Sequence, residues 1–127
     1  MDAPQGLFVA VLPDIQDDDD DAIVERLNKL KEKINSRRIK PAELRGYSIT
    51  LSNYGAIAGR YASPVVLPPT VAILGAGKSR DEVVPRNGEM VIRHILPLAL
   101  TFDHRAVTGG EAARFLKAVI NDLQGAE

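Results

Sequence analysis

The 127-residue sequence has no cysteine, no surplus of charge of either sign and no long apolar run. Without cysteine it can form no disulfide, thiol nucleophile or thiolate metal site, which fits a reducing compartment. Sixteen basic and seventeen acidic residues give a net charge of −1, so no global field favours nucleic acid or an anionic membrane. The apolar stretches are too short to cross a bilayer, and Asp2, not a basic residue, follows Met1. We therefore expect a soluble intracellular protein that binds neither nucleic acid nor membrane.

Hydrophobic residues make up 45% of the chain, enough for the core of one ordinary domain. The residue pattern predicts a strand, a helix, about four strands and a terminal helix, which is a mixed sheet flanked by helices in the α/β (α+β) class. The predicted elements are a strand at 6–13, a helix that follows the acidic run 14–21 and ends near 35–37, a turn at 40–44, strands at 47–52, 70–74 and 90–102, a hairpin turn at 85–89 and a helix at 110–123. The acidic run lacks the ligand spacing of a calcium loop, so we expect its aspartates to cap the helix.

Two features resemble chemical motifs without completing them. The segment 75–79 (GAGKS) is similar to a phosphate-binding loop, but Ala72 stands where such a loop needs a glycine. The dinucleotide-binding pattern fails in the same way, because its third glycine would fall on Arg80. His94 lies ten residues from the only other histidine, so the two form no local metal pair. We expect a glycine-rich strand exit, a satisfied or exposed strand histidine, and no metal site.

The segment 98–110 carries the strongest chemical signal. An apolar strand runs directly into Asp103-His104-Arg105, and a glycine pair then opens the terminal helix. A histidine at a strand end lies where side chains leave the sheet for clefts, and imidazoles titrate close enough to neutral pH to act as general bases. The spacing alone does not separate a functional histidine from one with a packing or capping role.

Residues 98–116 (LALTFDHRAVTGGEAARFL) resemble the C-terminal signature of dihydrolipoyl acyltransferases, the acyltransferase components of 2-oxo acid dehydrogenase complexes. That signature reads Asp-His-Arg, two residues, usually Asp, then Gly. Four further segments are similar to motifs of the same family and occur in the same order: DAPQGL at 2–7, RIKPAELRG at 38–46, ITLSNYG at 49–55 and LPPTVAIL at 67–74. The resemblance therefore covers nearly the whole chain.

The resemblance implies an incomplete coenzyme A-dependent acyltransferase fold of the chloramphenicol acetyltransferase type, with acyl transfer between a dihydrolipoyl thioester and coenzyme A. His104 would take the proton from the attacking thiol, because a thiolate is the better nucleophile. Ser52, which alone would be interpreted as a turn serine, would donate a hydrogen bond to the oxyanion of the tetrahedral intermediate. Thr108 stands where the family usually has Asp and sometimes Asn, so an uncharged hydroxyl would share in positioning the site. No residue is assigned to coenzyme A binding.

The same resemblance implies a homotrimer in which neighbouring subunits supply the histidine and the serine. Trimers would build a cubic or dodecahedral core, and the partners would be a lipoyl domain, which carries the lipoate, and the dehydrogenase components. The family's catalytic domain begins upstream of Asp2, so we expect residues 1–127 to be the C-terminal portion of one catalytic domain, without lipoyl or subunit-binding domains. The location would be the bacterial cytoplasm or, alternatively, the mitochondrial matrix.

Two alternatives remain from the sequence. The first is an inactive truncated fragment that serves only as a trimer-forming core module. The second is an acyltransferase of the same fold that acts on a free small molecule. The Pro-Pro and Asp-His-Arg contexts fit the lipoyl-dependent enzymes better than this second alternative.

Overall fold

The computed structural model describes residues 2–3 and 6–125, with side chains from residue 6 onward, so Pro4 and Gln5 of the motif at 2–7 lie outside the described residues. The chain divides into two compact units, Met1–Tyr47 and Ser48–Glu127. The first unit holds β1 (Asp2–Ala3), β2 (Gly6–Leu7), α1 (Asp20–Asn35) and short 3-10 turns at Ile15–Asp17 and Pro41–Leu44. The second unit holds β3 (Thr50–Asn53), β4 (Ala72–Ala76), β5 (Arg80–Arg86), β6 (Glu89–Ile95), β7 (Leu98–Phe102) and α2 (Gly109–Gly125).

The acidic run in the first unit caps α1, as its composition predicts. The Asp19 side chain accepts a hydrogen bond from the backbone N–H of Ala22 at 2.8 Å. Asp20 and Asp21 lie in the first turn, where their charge favours the positive end of the helix dipole. The helix ends at Asn35, inside the predicted limits.

The strand predicted at 6–13 is wrong beyond Leu7. Only Gly6 and Leu7 pair with another strand, in an antiparallel bridge to Asp2 and Ala3. Residues 8–13 belong to no helix or strand. An apolar run becomes a strand only where another segment completes its hydrogen-bond ladder, so the run by itself does not determine where the strand ends.

The second unit is built on a mixed three-stranded sheet in the order β3-β4-β7, which confirms the predicted fold class. Strand β3 runs parallel to β4, and β4 runs antiparallel to β7. Ile73 is buried at the centre of the sheet, and α2 contacts β7 and buries Ala112. The central position of β4 therefore links the strand that carries Ser52 to the strand that leads into His104.

The single strand predicted at 90–102 is wrong, because the chain breaks into β6 and β7 at Leu96-Pro97. Proline has no N–H to donate to a ladder, which favours a break at this point. Strand β6 instead pairs with β5, a strand for which the prediction had no boundaries, in a separate hairpin. Its corner is Asn87-Gly88, both with positive φ (54° and 85°), which confirms the predicted turn.

The glycine-rich segment after β4 is a tightly packed strand exit, as expected. A Cβ placed on Gly55 would overlap the carbonyl carbon of Gly77, and one on Gly77 would overlap the carbonyl oxygen of Arg60. The glycines thus allow the loop after β3 to lie directly on the exit of β4. No helix in residues 6–125 combines the length and the apolar character needed to cross a bilayer.

Candidate active site

His104 lies on the surface at the end of β7. Its ring is exposed and tilts against Phe102, with 5.3 Å between the ring centroids. A Cβ placed on Gly109, the first residue of α2, would reach ordinary van der Waals contact with His104 Nε2 at 3.9 Å, so this glycine leaves space next to the ring. Within residues 6–125 no hydrogen bond reaches the ring nitrogens. The imidazole is therefore free to bind a substrate proton, as a general base requires.

The turn that carries His104 is fixed at its first residue, Asp103. The backbone N–H of Asp103 donates to the carbonyl of Val71, the residue before β4, at 2.8 Å. The carbonyl of Asp103 accepts from the N–H groups of Ala106 and Val107, both at 3.0 Å. These bonds close a helical turn directly behind the strand and orient the residue that follows Asp103.

The Asp103 carboxylate is held by Arg105. The backbone N–H of Arg105 donates to Asp103 Oδ1 at 3.0 Å, and its guanidinium Nη2 lies 2.6 Å from Oδ2. The Arg105 side-chain hydrogen bonds, followed by its backbone hydrogen bond, lower the pKa of Asp103 from 3.8 to about 2. The carboxylate therefore stabilises the turn through Arg105, and it does not form an Asp–His pair with the imidazole.

Ser52 lies in β3, half-buried, and pairs with Gly75 of β4. The following residue, Asn53, begins the turn, because its side-chain oxygen accepts from the N–H of Ala56 at 3.1 Å. Asn53, not Ser52, therefore forms the side-chain hydrogen bond that begins the turn.

One chain does not bring Ser52 and His104 together. Ser52 pairs with Gly75, which in turn pairs with Ala99, five residues before His104. At about 3.3 Å per residue and about 4.8 Å between strands, His104 lies roughly 16 Å along and roughly 10 Å across the sheet from Ser52. The two side chains therefore occupy opposite ends of the same sheet, far beyond hydrogen-bond distance.

Thr108, four residues after His104, caps α2 together with Glu111. The Thr108 hydroxyl lies 2.7 Å from Glu111 Oε2, and the Thr108 N–H donates to the same oxygen at 2.8 Å. In return, the N–H of Glu111 donates to Thr108 Oγ1 at 3.3 Å. This reciprocal pattern is a capping box, so the structure places Thr108 next to the His104 turn and at the start of α2.

A cavity of about 550 Å³ opens beside this turn, and the sequence analysis did not assign its residues to a site. Apolar side chains such as Pro68, Pro69 and Phe102 line most of it, and Asp103 and Arg105 add charge. The Pro-Pro and Asp-His-Arg motifs are the sequence features that could have indicated this cavity, since both segments border it. Mostly apolar walls with a few charged groups are typical of ligand sites.

The second histidine does not contribute to this site. His94 is exposed on the β5–β6 hairpin, and its Nδ1 lies 2.9 Å from the carboxylate of Asp81. This confirms the expectation of a satisfied or exposed strand histidine. In residues 6–125 no group of three or more His, Asp or Glu side chains could hold a metal ion.

Comparison with known proteins identifies the family. The family model for the 2-oxoacid dehydrogenases acyltransferase (catalytic domain) matches residues 1–127. The dihydrolipoyllysine-residue acetyltransferase component of the pyruvate dehydrogenase complex of Bacillus subtilis is 36% identical over 126 residues, which are 97% of this chain and 28% of that protein.

Solved structures agree with that match. One is the dihydrolipoamide acetyltransferase of Azotobacter vinelandii, studied for the role of a serine, a histidine and an asparagine in its catalytic mechanism (34% identity, TM-score 0.88, 93% of this chain and 49% of that chain). Another is the cubic core of a pyruvate dehydrogenase multienzyme complex (34% identity, TM-score 0.87, 92% and 48%). The chain thus spans less than a third of the curated relatives and about half of the solved chains. Because the family model spans the whole chain, the protein belongs to the catalytic-domain family of the 2-oxoacid dehydrogenase acyltransferases.

Proposed function

We propose that this protein transfers an acyl group between a dihydrolipoyl thioester and coenzyme A, in the core of a 2-oxo acid dehydrogenase complex. The observation that carries the proposal is the exposed imidazole of His104 at the end of β7, with no hydrogen-bond partner in residues 6–125. Family membership supports the reaction class. The lipoate would arrive on a separate lipoyl domain, and the dehydrogenase components would be further partners.

The reaction begins when His104 takes the proton from the thiol of coenzyme A. The resulting thiolate attacks the carbonyl carbon of the thioester and forms a tetrahedral intermediate with a negative oxygen. Ser52 donates a hydrogen bond to that oxygen, an interaction typically worth about 3–4 kcal/mol in the transition state. The intermediate then expels the dihydrolipoyl sulfur, which receives the proton from the His104 imidazolium. No metal takes part in this sequence.

Two copies of the chain would supply one complete site. Ser52 and His104 lie at opposite ends of one sheet, so the reaction needs a neighbouring subunit to bring a serine to each histidine. A cyclic trimer, the assembly that the family resemblance implies, repeats this contact three times and closes on itself. The likeness to the cubic core of a pyruvate dehydrogenase complex supports such trimers as units of a larger core.

The residue spacing supports the three assigned side chains. In the Azotobacter vinelandii enzyme, fifty-two residues separate the catalytic serine from the histidine, and four separate the histidine from the asparagine. Ser52, His104 and Thr108 have the same two spacings. We therefore assign Thr108 to the position of that asparagine. The location, bacterial cytoplasm or alternatively mitochondrial matrix, stays a prediction, as does the assignment of residues 1–127 to the C-terminal portion of one catalytic domain.

An assay of two histidine variants tests the proposal. The purified protein is given dihydrolipoamide and acetyl-coenzyme A, and formation of acetyl-dihydrolipoamide is followed. We expect His104→Ala to lower kcat at least about 100-fold, because general-base catalysis contributes that much or more. His94→Ala is the matched control and keeps the wild-type rate, since His94 lies on the hairpin and pairs with Asp81.

Full turnover by His104→Ala would overturn the assignment of the base. Absence of turnover in the wild type, together with a trimer in gel filtration, would favour the alternative of an inactive core module. That alternative rests on one observation: this chain spans only about half of the solved chains.

A further inference from the structure

The hydroxyl proton of Thr108 is already in use. The capping contacts lower the pKa of Glu111, first through the hydrogen bond from the Thr108 hydroxyl, so at neutral pH its side chain is a carboxylate and only accepts hydrogen bonds. At 2.7 Å from Glu111 Oε2, the Thr108 hydroxyl must be the donor. One of its lone pairs accepts from the N–H of Glu111. The hydroxyl thus has no proton left for a substrate oxygen.

The same contacts fix the far end of the turn that holds His104. The near end is fixed at Asp103, through Val71 and Arg105, and the far end at Thr108, through Glu111. Between these two anchors the imidazole has no hydrogen bond of its own in the described residues. Its orientation therefore depends on the backbone that the two anchors hold, together with the contact between its ring and Phe102.

We propose that Thr108 and Glu111 act as a positioning pair for His104, and that Thr108 does not donate to the reacting atoms. This inference rests on the proposed function, because it assigns a role inside the same site. The proposal also explains why threonine can stand at position 108, where the Azotobacter vinelandii enzyme has asparagine. Threonine and the asparagine of the Azotobacter vinelandii enzyme differ in size and donor capacity, but both are good helix N-caps. The property that they share is the ability to fix the start of α2.

The test compares loss of this cap with loss of a remote cap. Thr108→Val and Glu111→Leu each remove contacts of the pair, because neither new side chain can make the capping hydrogen bonds, and Thr108→Asn keeps an N-cap without the threonine hydroxyl. Asp19→Ala is the matched control, because it removes the side-chain cap of α1 and leaves the α2 cap unchanged. The chain has two histidines, so NMR resolves His104 with His94 as an internal reference.

We expect the imidazole signals of His104 to shift in Thr108→Val and Glu111→Leu while those of His94 stay in place. Exchange of the Thr108 amide proton should become about fivefold faster, as expected for loss of one N-cap. In the acyltransferase assay, kcat should fall about tenfold with KM for acetyl-coenzyme A nearly unchanged, because misplacing a catalytic group slows chemistry more than binding. Thr108→Asn should restore both readouts, and Asp19→Ala should change neither.

Unchanged His104 signals in both cap-removing variants would overturn the proposal. So would a Thr108→Asn variant that loses as much kcat as Thr108→Val, since that result requires the threonine hydroxyl itself. Circular dichroism of each variant confirms that α2 is still folded, and Glu111→Leu, whose side chain is similar in size and favours helix, serves if Thr108→Val does not fold. The NMR readout does not depend on turnover, so an inactive wild type would contradict the proposed function and leave this test intact.

Discussion

The two ends of the three-stranded sheet are built in different ways. At the His104 end, the side-chain hydrogen bonds are local, since the Asp103–Arg105 pair and the α2 cap join residues at most three positions apart, and a backbone bond from Asp103 to Val71 attaches the turn to the rest of the unit. At the Ser52 end, contacts join distant segments, because the loop after β3 packs on the glycines that follow β4. One half-site is thus held by hydrogen bonds and ion pairs within a short segment, and the other by close packing across the chain. Substitutions near His104 should therefore alter chemistry, and those around Ser52 should also alter stability.

Removal of the serine hydroxyl should give the largest effect. We expect Ser52→Ala to lower kcat about 100- to 1000-fold, because one oxyanion donor is worth about 3–4 kcal/mol. Ser52 is half-buried in β3, and alanine is compatible with that strand, so the melting temperature should change little. Ser52→Thr, which keeps a hydroxyl, is the control. A Ser52→Ala variant with wild-type kcat would show that the two ends of the sheet do not cooperate in one reaction.

Co-expression of two inactive variants tests whether those ends meet between subunits. Neither Ser52→Ala nor His104→Ala should be active alone. In random mixed trimers, about a quarter of the sites would combine an intact His104 with an intact Ser52 from the neighbouring subunit. Activity should therefore return to about a quarter of the wild-type value. Mixed trimers without any recovery would contradict a site shared between subunits.

The packing at the Ser52 end predicts a loss of stability in Gly55→Ala. The added Cβ would overlap the backbone carbonyl carbon of Gly77, which cannot move as a flexible side chain could. We expect the free energy of unfolding to fall by about 3 kcal/mol, as for severe overpacking, measured by urea denaturation. Gly125→Ala at the end of α2 meets no atom within 4 Å and serves as the control. Equal stability of the two variants would contradict the packing argument.

The same contrast explains what could be predicted from the sequence. His104, Thr108 and the hairpin corner Asn87-Gly88 were located from short motifs, because local hydrogen bonds and turn chemistry determine their structure. The strand at 6–13 was overextended and the break at Pro97 was missed. Strand limits depend on which distant segment completes the ladder, and an apolar run does not carry that information.

The distance between Ser52 and His104 could not be predicted from the sequence either. It depends on the order β3-β4-β7 and on the register that aligns Ser52 with Gly75 and Ala99. A strand order is a property of the whole sheet, and no motif encodes it. The proposal of a site shared with a neighbouring subunit could therefore come from the family resemblance, whereas the separation of Ser52 and His104 within one sheet required the structure.

The smallest expected effect concerns acid stability at the His104 end. Arg105 lowers the pKa of Asp103 from 3.8 to about 2, so the ionised form is favoured in the folded chain. The resulting stabilisation is complete above the unfolded value near 3.8 and is lost as the pH falls toward 2. In Arg105→Ala the pKa of Asp103 should return toward 3.8, so the turn should lose order at a higher pH than in the wild type.

An NMR titration of the Asp103 carboxyl carbon measures this shift directly. Arg86→Ala, which removes an exposed arginine from β5, is the control and should leave the Asp103 midpoint near 2. The pair is exposed, so the gain in overall stability should be small even though the midpoint moves clearly. An Asp103 midpoint that is the same with and without Arg105 would mean that the turn is held by its backbone bonds to Val71, Ala106 and Val107 alone. The His104 end would then depend on backbone geometry, with no contribution from its charged pair.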